Sequence, residues 1–293
     1  AAGMHLLGTV TTGTTADDGE SLARDINDRG QIIGTLGNEA EPGDAAYWDF
    51  SGGPSAYVFD NLADNLQAPS PAPEDSEGRA ITDDDPPYVV GALDIVPGAP
   101  TPESNERGFL HRIGTNGSTI LPGAPPNNAS IAFDARDAAA DPHLEVQSVG
   151  LTASTFFGDC AAPCGGSCPP GVVWEDDVRT ELPGAEIGAG PDRGATVGYG
   201  INFDGNIVGS SRDWQDEDGD GIVDPVECFD RGAFWPTLDA TDPVLLPFTL
   251  DALSLCVENE SAMVAFAVAD RAFGTDPLYV AGTDESQHTA VVW

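Results

Sequence analysis

A five-fold internal repeat constrains this chain more than any other feature, because a fixed period decides what one copy can bury by itself. A small residue, then apolar residues, then an aromatic or similar residue recurs as Ala46-Tyr47-Trp48, Gly108-Phe109-Leu110-His111, Gly171-Val172-Val173-Trp174, Ala233-Phe234-Trp235 and Ala290-Val291-Val292-Trp293. The closing residues stand 63, 63, 61 and 58 positions apart. A second element, an apolar pair closed by Gly, always precedes it: Ile32-Ile33-Gly34, Val89-Val90-Gly91, Val149-Gly150, Ile207-Val208-Gly209 and Val280-Ala281-Gly282. Ahead of that stands a third: Asp25-Ile26-Asn27-Asp28-Arg29-Gly30, Ala80-Ile81-Thr82-Asp83, Asp134-Ala135-Arg136-Asp137, Gly200-Ile201-Asn202-Phe203-Asp204-Gly205 and Ala267-Val268-Ala269-Asp270. A fourth follows the aromatic element: Leu6-Leu7-Gly8, Asp60-Asn61-Leu62, Ile120-Leu121-Pro122-Gly123, Leu182-Pro183-Gly184 and Leu245-Leu246-Pro247.

Each element is short, β-branched or aromatic, and bounded by Gly, Asn, Asp or Pro, which is the signature of strands and turns. Four strands in each of five copies predict an all-β chain of about twenty strands, built as a five-bladed β-propeller of four-stranded blades. A linear solenoid is the alternative. The order at the termini argues against it, since the chain opens on the fourth element, Leu6-Leu7-Gly8, and stops on the one ending at Trp293. Pairing of the N- and C-terminal strands would complete the last blade and close the ring, making residues 1–293 one domain.

The first and fourth copies are the sharpest, with Asp25-Ile26-Asn27-Asp28-Arg29-Gly30 running into Ile33-Gly34, and Gly200-Ile201-Asn202-Phe203-Asp204-Gly205 running into Val208-Gly209. They resemble the HAF-type repeats of bacterial extracellular proteins. That resemblance implies export and a propeller-like array, and implies no defined reaction. The Asn-Asp-x-Gly turns are read as structural, closing a hairpin through the left-handed tolerance of Asn, Asp and Gly.

From the Gly of the second element to the end of the aromatic element, the copies span 14, 20, 24, 26 and 11 residues. Length variation is thus concentrated in one type of connection, with insertions at 35–45, 92–106, 151–170 and 210–230. Equivalent loops of a propeller leave the same face, so this face is the expected place for a protein or glycan partner. Tolerance of surface loops to length change is the plainer explanation.

The insertion 210–230 holds Asp216-Glu217-Asp218-Gly219-Asp220-Gly221-Ile222-Val223-Asp224-Pro225-Val226-Glu227. This spacing fits a Ca²⁺ loop. Asp216, Asp218 and Asp220 would offer side-chain oxygens, Ile222 its carbonyl, Asp224 a direct or water-bridged contact and Glu227 two oxygens, while Gly221 permits the sharp turn. No amphipathic helix flanks it, so it resembles the isolated calcium loops of extracellular modules such as thrombospondin type 3 and dockerin rather than an EF-hand. An acidic solvated turn is the alternative.

Five cysteines, with Cys160, Cys164 and Cys168 close together, fit an exported disulfide framework better than a zinc site, whose usual two-residue spacing is absent. Cys228 and Cys256 are paired in this reading, together with one pair among Cys160, Cys164 and Cys168. Export also agrees with a start at Ala1-Ala2-Gly3 lacking a basic and apolar leader. The 49 acidic residues against 11 arginines give a net charge of −38, which excludes a binder of the phosphate backbone and opposes docking on anionic lipid. No apolar run reaches the length of a membrane helix. Recurrent apolar clusters exclude general disorder, with residues 67–78 expected as the exception.

An enzyme of the glycan-cleaving kind would need a small, asymmetric set of carboxylates. Asp28, Asp83, Asp137, Asp204 and Asp270 instead recur copy after copy, as structural turns do. His5, His111, His143 and His288 are scattered. The expected function is therefore a non-catalytic binding or structural module of the cell surface or medium, open to oligomeric or filamentous assembly. A glycan-binding or glycan-cleaving axial pocket is the alternative.

Overall fold

The computed structural model describes residues 21–38, 41–50, 58–62, 75–94, 106–123, 129–137, 146–152, 171–185, 194–214, 228–247, 263–269, 278–284 and 289–293. They form five small antiparallel sheets, the blades of a β-propeller. Blade 1 is β1 (Ser21–Ile26), β2 (Gln31–Asn38), β3 (Glu41–Asp49) and β4 (Val58–Asn61). Blade 2 is β5 (Asp75–Ile81), β6 (Tyr88–Asp94), β7 (Glu106–Arg112) and β8 (Thr119–Ile120). Blade 3 is β9 (Ile131–Asp137), β10 (Val146–Leu151), β11 (Gly171–Glu175) and β12 (Val178–Glu181). Blade 4 is β13 (Thr196–Ile201), β14 (Ile207–Trp214), β15 (Cys228–Trp235) and β16 (Val244–Leu245). Blade 5 shows β17 (Met263–Val268), β18 (Val280–Asp284) and β19 (Thr289–Val292). Every sheet is a meander in sequence order. The strand assigned to Leu6-Leu7-Gly8 lies outside the described residues.

The blades bury their faces against one another. Ile33, Tyr47 and Leu62 of blade 1 pack on Ile81, Val89 and Phe109 of blade 2, and Val149, Val173 and Leu182 of blade 3 pack on Ile201, Ile207 and Trp235 of blade 4. Each such aliphatic side chain contributes roughly 1.5–3 kcal/mol when fully buried. The core is therefore a set of layers between neighbouring blades, which is why a single blade could not stand alone.

The innermost strands β1, β5, β9, β13 and β17 all carry a bulge at the same place, which leaves Arg24, Arg79, Phe133, Tyr199 and Phe266 outside the ladder. The glycine of the second element crosses this bulge. A Cβ on Gly34, Gly91, Gly150, Gly209 or Gly282 would lie within 2.1 Å of a backbone oxygen of the innermost strand.

Hydrogen bonds join the blades in two directions. Near the axis, side chains of an earlier blade reach the backbone of the next: Asp25 accepts from the Ile81 N–H at 2.9 Å, and Asn27 donates to the Thr82 carbonyl at 2.8 Å. Asp134 accepts from the Ile201 N–H at 2.9 Å, Arg136 donates to the Phe203 carbonyl, and Asn202 donates to the Ala269 carbonyl at 3.0 Å. Elsewhere the later blade reaches back. The indoles of Trp174, Trp235 and Trp293 donate to the carbonyls of Pro122, Pro183 and Pro247 at 3.0, 2.9 and 2.8 Å. The hydroxyls of Ser76, Ser130 and Thr196 accept from Ala45, Gly108 and Gly171.

Two expectations change. The insertions are in part ladder, because second and third strands continue into them: Asn38 pairs with Glu41, Asp94 with Glu106 and Trp214 with Cys228. Disorder over residues 67–78 fails at its C-terminal end, where 75–78 begin β5. Gly78 sits there against Ile33 and Gly34 of blade 1, where a Cβ would meet Ile33 at 2.5 Å, so its lack of a side chain is a packing requirement.

Candidate functional site

A β-bulge re-aims the side chain of its extra residue. At the five equivalent bulges this places Arg24, Arg79, Phe133, Tyr199 and Phe266 in a series around the axis, each preceded by Ala or Gly: Ala23, Gly78, Ala132, Gly198 and Ala265. The small residue is explained by the close approach of the neighbouring blade, since a Cβ at Gly198 would stand 2.2 Å from Val149.

The series is continuous from blade 1 to blade 5. Arg24 Nη2 lies 2.7 Å from Glu77 Oε1, an ion pair without hydrogen-bond alignment, and Arg79 Nη2 donates to Glu77 Oε2 at 2.7 Å. The Arg79 guanidinium carbon lies 4.9 Å from the centre of the Phe133 ring. Phe133 and Tyr199 have ring centres 5.1 Å apart and tilted, and Tyr199 meets Phe266 edge-on at 5.3 Å. Arg79 Nε is buried with no hydrogen-bond partner among the described residues. One arc of the axis is thus cationic and the other aromatic, an arrangement that can take a planar anion on one side and a flat apolar surface on the other.

The repeated acids have other work. Asp83 accepts the Asp28 N–H at 2.9 Å, and Arg29 closes this turn by donating to the Asp83 carbonyl and pairing with Asp85. Burial pushes the Asp25 carboxyl above its ordinary value, against the lowering effect of the Ile81 and Ile26 amides. Asp137 is pushed up to about 6, first by burial and then by Asp84 facing it. Its Oδ1 is buried with no hydrogen-bond partner among the described residues, which disfavours the charged carboxylate. Asp204 occupies the corresponding turn in blade 4, and Asp270 lies outside the described residues.

In the two sharp turns the Asn side chain serves as a cap. Asn27 Oδ1 accepts from Gln31 and Arg29, and Asn202 Oδ1 accepts from Asn206, with Gly30 and Gly205 at φ of +76° and +80°. His111 replaces the repeated Trp in blade 2 and turns inward, its Nδ1 3.2 Å from the Gly117 carbonyl and from Ser118 Oγ.

Of the sequence-derived metal and disulfide positions, Asp216, Asp218, Asp220, Ile222, Asp224, Glu227, Cys160, Cys164, Cys168 and Cys256 lie outside the described residues, as do His5, His143 and His288. Cys228 is the first residue of β15, opposite Trp214, so the two ends of the 216–227 segment leave one hairpin. Among the described residues no cluster of three His, Cys, Asp or Glu side chains could hold a metal, and no helix is long and apolar enough to cross a membrane.

The axial series was missed by a reading that followed the acids. The pattern of a small residue followed by a large one, two positions before Ile26, Ile81, Ala135, Ile201 and Val268, was the available signal. Compared with known families and curated proteins, the chain matches no family model and no curated sequence.

Proposed function

We propose that the protein is a secreted or cell-surface β-propeller that works as a non-catalytic binding or structural module, steadied by Ca²⁺ and by disulfides among Cys160, Cys164, Cys168, Cys228 and Cys256. The observation that carries this reading is the use of the repeated carboxylates as stitches: Asp25 and Asp134 hold the amides of the next blade, and Asp83 holds the Asp28 amide. The HAF-like turns and the cysteine grouping support export. The insertions, all on the second-to-third-strand hairpins of their blades, supply a face for a protein or glycan partner or for extracellular assembly.

Ca²⁺ is assigned to Asp216, Asp218, Asp220, Asp224 and Glu227 with the Ile222 carbonyl. Hanging this loop from the Trp214–Cys228 pair gives it a rigid base without flanking helices. Carboxylates so close together repel in a chain of charge −38, and a cation that binds only the folded loop adds about 2.7 kcal/mol at a hundredfold excess over Kd. Chelator is expected to lower the Tm and open the loop to protease in wild type, with no further effect on Asp218→Ala/Asp220→Ala. An unchanged Tm and digestion pattern in wild type would remove the calcium assignment.

The glycan-cleaving alternative rests on the raised carboxyl of Asp137. Glycosidase carboxylates stand about 5 Å or more apart, with a sugar between them, whereas the raised carboxyl of Asp137 is accounted for by burial and by the neighbouring Asp84. Release of reducing sugar from a polysaccharide panel by wild type, and its loss in Asp137→Asn, would replace the non-catalytic reading.

A further inference from the structure

The geometry points to the axis as a binding site for a small organic monocarboxylate that carries a flat apolar face. In it Arg24 and Arg79 receive the carboxylate, and Phe133, Tyr199 and Phe266 receive the face. This rests on the reading of the protein as a binding module and names the ligand chemistry of its centre.

Charge allocation is the first argument. The chain has 11 arginines for 49 acids, yet two of the arginines occupy neighbouring bulges, where a single carboxylate, Glu77, serves both. The group keeps a net positive charge inside a strongly negative molecule. Glu77 uses one oxygen for each guanidinium, which leaves most of their N–H groups unspent. Among the described residues Arg24 is paired with Glu77 alone.

Geometry is the second. Arg79 lies over Phe133, which fixes its guanidinium beside the rings, while the more exposed Arg24 beside it offers the N–H groups that a carboxylate can pair with. Beyond Phe133 the tilted Tyr199 and the edge-on Phe266 extend an apolar wall, and Phe266 is 44% exposed although a bulge in any propeller could carry Ala or Ser there. Phe133 and Tyr199 are seated on the core around Ala129, Leu151 and Val197, which holds the wall in place.

Charge also selects the ligand. A net charge of −38 repels a dianion about twice as strongly as a monoanion at the same place, which favours carboxylate over phosphate. The apolar face is supplied equally by the C–H face of a sugar acid or by an arene, and the test separates these sources.

Titration calorimetry of the whole protein at about 0.15 M salt would compare glucuronate with glucose, and phenylacetate with benzyl alcohol, with inorganic phosphate as the third anion. At least one acid is expected to bind with Kd below about 1 mM and its neutral counterpart about tenfold more weakly. Arg79→Gln and Arg24→Gln should each weaken the acid about tenfold, Arg79→Lys less, and Tyr199→Leu should weaken it while sparing phosphate. Glucuronate alone would identify a sugar-acid site, and phenylacetate alone an aromatic-acid site. The Tm of every variant confirms folding, and having two arginine variants keeps the test valid if one fails to fold. The inference is overturned if neither acid binds wild type, if phosphate binds as tightly as the acids, or if folded Arg79→Gln and Arg24→Gln bind like wild type. In that last case a retained partner at the insertion loops would leave the binding-module reading standing, whereas release of reducing sugar would end it.

Discussion

Gly209 shows what a single hydrogen in place of a methyl group secures. A Cβ there would lie 1.9 Å from the Val197 oxygen, and backbone, unlike a side-chain tip, cannot rotate away. Gly209→Ala is expected to cost about 3 kcal/mol, read as a Tm lower by roughly 6–12 °C. Gly114→Ala, where no atom lies within 4 Å of the added Cβ and only a φ of +80° resists, should cost about 1 kcal/mol. Equal losses at the two sites would show that the strand crossing is not what selects glycine. Asp137 makes a second residue-scale prediction. Its folded pKa, raised to about 6, lies above the unfolded value, so the folded protein holds a proton that the unfolded chain releases. The contribution is complete below about pH 4 and is lost as pH rises through about 6. Thermal melts should show a higher Tm at pH 5 than at pH 7, and Asp137→Asn should narrow that gap because an amide does not titrate. A gap of the same size in the variant would acquit the pair. The repeated glycine was legible in the sequence, but its cause was not, because the oxygen it avoids belongs to a different strand. The axial residues were obscured for a related reason: Arg, Arg, Phe, Tyr and Phe share a position and a direction, not a chemical type.

At the scale of elements, the turn after the innermost strand does two tasks at once. Asn202 is buried, accepts the Asn206 N–H at 2.9 Å to close its own hairpin, and donates to Ala269 in blade 5 at 3.0 Å. Asn202→Ala should lower the free energy of unfolding by about 1–3 kcal/mol, seen in the urea midpoint, because the buried Asn206 N–H loses its acceptor and the bond to blade 5 is lost with it. Asn202→Asp keeps the first acceptor but faces the Ala269 carbonyl with an oxygen, so it should not restore stability; full recovery would mean that the bond between blades contributes nothing. Such turns, and the first three strands of each copy, were readable from short alternating segments bounded by Gly, Asn and Asp. The fourth strands were less so. In blade 3 the strand Val178–Glu181 ends before Leu182, the residue that marked the element; Leu182 still donates to the Gly171 carbonyl and fills the core beside Val149 and Val173, but Pro183 after it has no N–H to carry the ladder on. The bulges were invisible because one extra residue changes the pairing without changing the pattern of residue types.

For the whole molecule, coverage of equivalent positions differs around the ring. Ile26 of blade 1 is 61% exposed, whereas its counterparts Ile81 and Ile201 are 5% and 6% exposed. Val292 of blade 5 is 69% exposed where Val173 of blade 3 is fully buried. Both less-covered surfaces belong to the junction of the last blade with the first, the place where the repeat order predicts that Leu6-Leu7-Gly8 completes blade 5. Aligning Leu7-Gly8 with Leu121-Pro122, the buried Trp48 indole should donate to the Gly8 carbonyl as Trp174 does to Pro122. Deleting residues 1–10 is expected to lower the Tm and to abolish hydrogen-exchange protection of the Trp48 indole, while Trp174 stays protected. Equal protection of Trp48 in the deletion would rule out this closure. The opposed directions of the bonds between blades also have a consequence for synthesis. The Asp25, Asn27, Asp134 and Asn202 side chains wait for backbone that the ribosome has yet to deliver, and each emerging blade brings side chains, such as Ser76, Trp174 and Thr196, that grasp backbone already folded. Blades can therefore be added in order as they emerge, each stabilising its predecessor, until the final one arrives.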